Sequence, residues 1–233
     1  VPNRFEQGYG LSVDIVEIAK QSNPALIITV DNGIASCDGV EVANKAGIDV
    51  LITDHHLSPD VLPKAVAIIN PNQADCHFES KNIAGVGVIF YVMLALRRKL
   101  QDENYFQNNN IVAPNMASFL DLVALGTVCD VVPLDKNNRI LVSLGLARIR
   151  ASKCRLGITA LINIGKRDPT TLQSTDLGFV VGPRLNAAGR LDDMSLGIEC
   201  LITTNEKTAS TLAKTLDDLN IEMIKWFLKK IEI

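Results

Sequence analysis

The stretch ALIITVDNGIASCDGVEVANKAGIDVLITDHH, residues 25–56, decides the architecture. The continuous β-branched and apolar run at 25–30 suits a strand buried on both faces, and 48–53 reads as the next strand. Between them, residues 36–46 read as a helix that Gly47 stops. Strand, helix, strand at this spacing is a βαβ unit, which implies a parallel pair joined by a right-handed crossover. A third run, AVAIIN at 65–70, ends at Pro71 and adds a strand. Upstream, residues 12–21 read as a helix with Ser12 as its N-cap.

Beyond residue 80 the pattern turns helical. AGVGVIFYVMLALRRKL (84–100) is an apolar helix with a basic tail, and NMASFLDLVALGTVCDVV (115–132) reads as a second. Further helices are expected at 138–150, 156–165, 175–188 and 195–203. Residues 205–233 space Ala209, Leu212, Leu216, Leu219, Met223, Trp226 and Phe227 as one long helix. The fold class is therefore α/β: a Rossmann-like parallel sheet with flanking helices, then a mostly helical half.

Composition narrows the function classes. The chain has 233 residues, 47% hydrophobic and 21% charged, enough to bury a substantial core and too apolar for disorder. A net charge of -3 announces no global basic field for nucleic acid, although a local groove needs none. The five cysteines are odd in number, widely spaced and free of CxxC, so they read as reduced thiols of the cytoplasm. No apolar run reaches membrane-spanning length, no signal-peptide pattern is present, and no membrane partner is expected. The opening at Val1-Pro2 and the helical ending KWFLKKIEI read as a segment of a longer protein.

In open α/β sheets, ligands bind beyond the carboxyl ends of the strands. Strand 25–30 runs into Asp31-Asn32-Gly33, and strand 48–53 into Asp54-His55-His56. If the strands are neighbours, Asp31 and His55 share one rim of the sheet. Asp130 is a third carboxylate, after LGTV, with Asp121 nine residues before it. Oxygen ligands with an imidazole suit Mn²⁺ or Mg²⁺ better than a structural zinc site. Two such ions about 3.5–4 Å apart activate a water and stabilise a leaving oxygen in phosphoester hydrolysis. His56 is then available to contact a phosphate or move a proton. A bland reading stands beside this one: an aspartate after a strand serves as a cap or turn residue, and histidines in loops are commonly solvated. His77 reads as an ordinary loop residue.

The ordered motifs VDNG, TDHH and LDLVALGTVCDVVPL resemble those of the DHH phosphoesterase superfamily. The flanks VPNRFEQGYGLS, IINPNQADC, AGVGVIFYVMLALR and GPRLNAAGRLDDMS resemble its RecJ family of bacterial single-strand-specific 5′-to-3′ DNA exonucleases. The resemblance runs over essentially the whole chain. It implies that Asp31 is a bridging metal ligand, His55 a ligand, Asp130 the distal ligand and His56 a catalytic or phosphate-contacting residue. Asp54 is implied to orient a histidine as a supporting carboxylate. The family's first motif, Asp-x-Asp, would lie upstream of Val1, and its C-terminal domain beyond the last helix. Residues 1–134 are then the DHH core, 135–204 the helical remainder of the same domain, and 205–233 a connector helix. Such a segment alone is expected to bind metal weakly and to lack appreciable nuclease activity. The implied substrate is single-stranded DNA, in repair and recombination, with a single-strand-binding protein and a helicase as partners. Two other readings keep the scaffold: hydrolysis of short oligonucleotides or small nucleotides, and a non-catalytic nucleic-acid-binding module.

Two basic stretches are candidate DNA contacts. In GPRLNAAGRL (182–191), small residues let a phosphate backbone approach Arg184, Asn186 and Arg190. An equal reading of those residues is a helix packed through its small side chains. Arg148, Arg150, Lys153 and Arg155 form a denser run that suits either a single-strand channel or a solvated face.

Overall fold

The computed structural model describes residues 10–191 and 194–231. The turn-rich opening expected at 1–9 lies outside the described residues. The chain forms two compact units. One holds the residues up to Met116 together with Val132–Arg139; the other holds Ala117–Val131 and everything from Ile140 onward. The described chain passes between the units three times, after Met116, Val131 and Arg139.

In the first unit, Ser12 Oγ accepts the amide of Ile15 at 3.3 Å and so caps α1, Val13–Lys20. Strands β1 (Leu26–Val30), β2 (Asp49–Thr53) and β3 (Ala67–Ile69) form a parallel sheet in that order, with Leu26 opposite Asp49 and Leu51 opposite Ala67. Helix α2, Cys37–Lys45, makes the crossover, and Gly47 at φ +73° turns the chain into β2. Leu11, Val16, Val40, Ala43, Val50 and Ile52 close one core on this side of the sheet. Helix α3, Gly85–Asp102, follows β3.

One expectation fails here. β1 is not buried on both faces: Leu26, Ile28 and Val30 are 43%, 50% and 43% exposed. Strand alternation turns Ile27 and Thr29 inward and sends these three to a face the described elements leave half open. A continuous apolar run cannot by itself say how many of its faces are covered.

The second unit is helical. A tight 3₁₀ turn, Met116–Phe119, leads into α4, Leu120–Cys129, where a single helix to residue 132 was expected. Helix α5 (Lys136–Arg150), whose first four residues belong to the first unit, is followed by α6 (Leu156–Ile164), α7 (Gly182–Leu191), α8 (Ser195–Ile202) and α9 (Glu206–Ile231). Leading into α7, residues Leu177–Val181 form a π-helical turn in place of the regular helix expected at 175–188. The wider turn lets Leu177, Val180, Val181 and Leu185 all point into the core. α9 packs on α6, α7 and α8 through Ala209, Ala213 and Leu216, while Ile224, Trp226 and Leu228 further along are exposed.

Asp121 holds this unit together. Its buried carboxylate accepts the Arg155 amide at 2.8 Å and pairs with the Arg155 guanidinium. That guanidinium also donates to the Ser118 carbonyl at 2.9 Å and lies over the Phe119 ring. The arrangement pins the start of α4 to the start of α6. Asp121→Ala leaves a charged guanidinium without its partner and should cost about 3–5 kcal/mol of stability. Urea unfolding of the variant, read against Asp121→Asn, measures it.

Candidate metal centre

The site is built from two strand ends. After β1 the chain turns sharply at Asp31, whose φ of +65° is left-handed, a conformation that Asp tolerates better than most residues. The Asp31 amide still donates to the Thr53 carbonyl at 3.0 Å, so the turn stays in register with β2. Gly33, at φ +114°, lies against Thr29 and Ile52, where a Cβ would meet the Thr29 hydroxyl at 2.6 Å. After β2, Asp54 continues the ladder by donating its amide to the Ile69 carbonyl at 3.1 Å.

Asp54 organises everything that follows. Its side chain is 1% exposed. Oδ2 accepts the Ile34 amide at 2.9 Å, tying the loop after β1 to the loop after β2. Oδ1 accepts the His55 and His56 amides at 2.7 and 3.2 Å and lies 2.7 Å from His56 Nδ1. Burial pushes this carboxyl upward, but the bonds from Ile34, the His56 ring and the two histidine amides outweigh it and hold Asp54 below the usual carboxylate range. An ionised carboxylate at this distance favours the tautomer with the His56 ring proton on Nδ1, which leaves Nε2 as the ring's acceptor atom.

Asp31 and His55 meet on the same rim. His55 Nε2 stands 3.0 Å from Asp31 Oδ1, and ligand atoms of Asp31, His55 and His56 all lie within 4.8 Å of one another. Asp31 Oδ1 is shielded from solvent and accepts no hydrogen bond among the described residues. The two histidine rings sit edge to face, centroids 4.6 Å apart, with side-chain exposures of 13% for His55 and 47% for His56. A buried carboxylate oxygen facing an imidazole nitrogen, with a second imidazole beside it, fits a hard divalent cation.

The surroundings rest on residues to which the sequence alone assigns no role. Asn72 Nδ2 donates to the His55 carbonyl at 2.6 Å, and Asn70 Nδ2 to the His56 carbonyl at 2.9 Å. Asn70 Oδ1 accepts the Asn72 amide at 2.8 Å, so the INPN turn after β3 braces the histidine pair from below. Gly85, the first residue of α3, leaves just enough room for Asp31: a Cβ there would overlap its carboxylate. An Asn-x-Asn pair next to a strand end was the available signal for the first feature. The second carries no local sequence signal.

The other predicted site residues belong to the helical unit. Asp130 belongs to the helical unit, as the exposed C-cap of α4. Arg184 gives Nε and Nη2 to Asp217 Oδ1, each at 2.8 Å, and Nη1 to the Val180 carbonyl at 2.6 Å. Asn186 is exposed on α7, and the Arg190 side chain lies outside the described residues. In the second basic run, Arg148 donates to the Lys153 carbonyl and Arg150 to the Leu172 carbonyl. These arginines close turns of their own unit. His77 is an exposed loop residue. An apolar hollow of about 520 Å³ between β3 and α3, lined by Ile69, Phe78, Tyr91 and Leu96, contains none of the candidate ligands.

With this geometry in hand, the comparisons with known proteins are specific. The pattern described as "DHH family, N-terminal domain" matches residues 1–127. The chain belongs to the DHH family. Among DHH relatives, the single-stranded-DNA-specific exonuclease RecJ of Salmonella typhimurium is 61% identical over 94% of this chain. RecJ of Escherichia coli is 60% identical over the same share, and RecJ of Bacillus subtilis 38% identical over 98%. The chain spans only 38% of the first two relatives' length and 27% of the third. Of solved structures, exonuclease RecJ bound to manganese superposes with a TM-score of 0.81 at 29% identity, over 98% of this chain and 55% of that one. RecJ of Thermus thermophilus in complex with Mn²⁺ gives 0.76 at 28%, over 94% and 31%.

Asp54→Ala removes the acceptor for three backbone or ring donors around one oxygen and a fourth at the other. It should cost about 2–4 kcal/mol in guanidinium unfolding, from buried donors left unsatisfied. Asp54→Asn, which keeps one acceptor oxygen, should lose less.

Proposed function

We propose that this chain is the DHH-family portion of a metal-dependent exonuclease that hydrolyses phosphodiester bonds of single-stranded DNA from the 5′ end. The observation that carries the reading is the convergence of Asp31, His55 and His56 on one rim of a parallel sheet. Its support is the likeness to RecJ proteins named for that activity, some solved with Mn²⁺. Mn²⁺ or Mg²⁺ held there by Asp31 and His55 would supply Lewis acidity toward a phosphoryl oxygen and an activated water. The chain's own residues do the rest. Asp54 favours the His56 tautomer that leaves Nε2 as the acceptor, poised to accept a proton or meet a phosphate. Asn70 and Asn72 fix the backbone carrying both rings.

Asp130 takes the role of a further metal ligand. Asn186 and Arg190 remain proposed contacts to the strand, whereas Arg184 would first have to leave Asp217. A cytoplasmic role in DNA repair and recombination, alongside a single-strand-binding protein and a helicase, completes the reading. No helix among the described residues is long and apolar enough to cross a membrane. α9 is proposed as a rigid connector: 26 residues at about 1.5 Å each span roughly 40 Å, with Trp226 and Phe227 exposed along its outer half.

Two measurements test the centre. In the full-length protein, His55→Ala should abolish Mn²⁺-supported digestion of 5′-ended single strands, and full activity in that variant would remove His55 from the ligand set. In calorimetry, this chain alone should bind Mn²⁺ weakly, because Asp31, His55 and Asp130 cannot fill two octahedral shells. Two tight sites would overturn that expectation. For α9, rapid proteolysis within 205–225 of the full-length protein, unslowed by DNA, would mark a flexible tether instead of a rigid connector.

A further inference from the structure

Phe179 is out of place for a core residue. It lies in the LGFVV segment, whose Leu177, Val180 and Val181 are all buried, yet it is itself 82% exposed. The turn that carries it is π-helical, a costly insertion that in other proteins recurs at functional sites. Its position is set by close packing on the end of α4. A Cβ at Gly178 would come within 3.2 Å of Val128 Cγ1, and one at Gly182 within 2.7 Å of Cys129 Sγ. The Cys129 thiol donates to the Leu177 carbonyl at 3.8 Å. Two glycines and a thiol therefore hold the Phe179 turn against the last residues of α4, and Asp130 caps that helix.

The residue after Asp130 is unusual as well. Val131 is left-handed at φ +60°, which a β-branched side chain rarely adopts, and it is 85% exposed. Strain of this kind persists where surrounding structure imposes it, and it clusters at ligand sites. Thus one apolar side chain follows Asp130 directly, and a bare aromatic ring is carried on the turn packed beside it. Asn186, exposed on the helix that continues from this turn, adds a polar group.

We propose that Phe179 is a stacking platform for a nucleobase of the bound single strand. The inference rests on the proposed function and deepens it by naming a base-contacting residue. An exposed ring accepts any base face, so it would hold the strand without reading its sequence. The overall low aromatic content fits one such platform better than an extended one.

The test uses the full-length protein and steady-state digestion of a single-stranded oligonucleotide. Phe179→Ala should raise KM about tenfold, a larger effect than on kcat, and Phe179→Trp should restore it. A companion series moves one abasic residue along the first six positions from the 5′ end. At the position that stacks on Phe179, wild type and Phe179→Ala should show equal KM, because there is no base to lose. A wild-type KM for Phe179→Ala on the natural strand overturns the proposal. So does an equal loss on every abasic strand, which would assign Phe179 a purely structural role. Failure of the wild-type protein to digest any strand would instead overturn the proposed function, and the stacking role with it.

Discussion

A single buried carboxylate, that of Asp54, accepts from both sides of the cleft between two strand ends, and the candidate centre depends on it. One oxygen fixes the loop after β1 through the Ile34 amide. The other gathers two successive backbone amides and the His56 ring. An ion this buried is costly unless its lone pairs are filled, and here both oxygens are engaged. The outcome is geometric: adjacent histidines, which would otherwise diverge, present ring nitrogens to the same small volume as Asp31. The ionised state of Asp54 follows from the same bonds, so the loop's shape and the His56 tautomer have one cause.

Much of this was legible in the residues. The βαβ pattern of 25–53 specified a parallel sheet, and the rule that ligands sit at strand ends pointed to Asp31, His55 and His56 as candidates, which the fold brings together. Ser12 as a cap and Gly47 as a helix stop were equally local and therefore readable. What could not be read was non-local. That β1 has a half-open face depends on what packs against it, not on LIITV itself. The π turn at Leu177–Val181 is invisible to a 3.6-residue period, because it exists to satisfy core partners on other helices. Gly85 gave no sign of its proximity to Asp31, which lies 54 positions earlier in the chain.

The arginines teach a related lesson. From composition, Arg148, Arg150, Arg155 and Arg184 could be a surface for phosphates. In the fold, each of them gives at least one donor to a carbonyl or an aspartate of the same unit. A guanidinium has five donors in a rigid fork, so it is as useful for closing a helical turn as for gripping a ligand. Charge along a sequence therefore overstates charge available to a partner. Exposed groups such as Asn186 and Phe179 are the better guides to what this unit can bind.

The three crossings between units also bear on how the protein is made. The sheet unit is not complete at Met116. It needs Val132–Arg139, where Asp135 accepts the Ser80 hydroxyl at 2.7 Å and Asn138 donates to the Asn82 carbonyl at 2.8 Å. During synthesis at about 5–20 residues per second, the nascent chain must wait on the order of seconds for that closing segment. Meanwhile α4, which belongs to the other unit, has already left the ribosome with its apolar residues and no core to receive them. Once Arg139 has emerged the sheet unit has all its residues and can close, whereas α4 must wait for Ile140 onward before its own core can form.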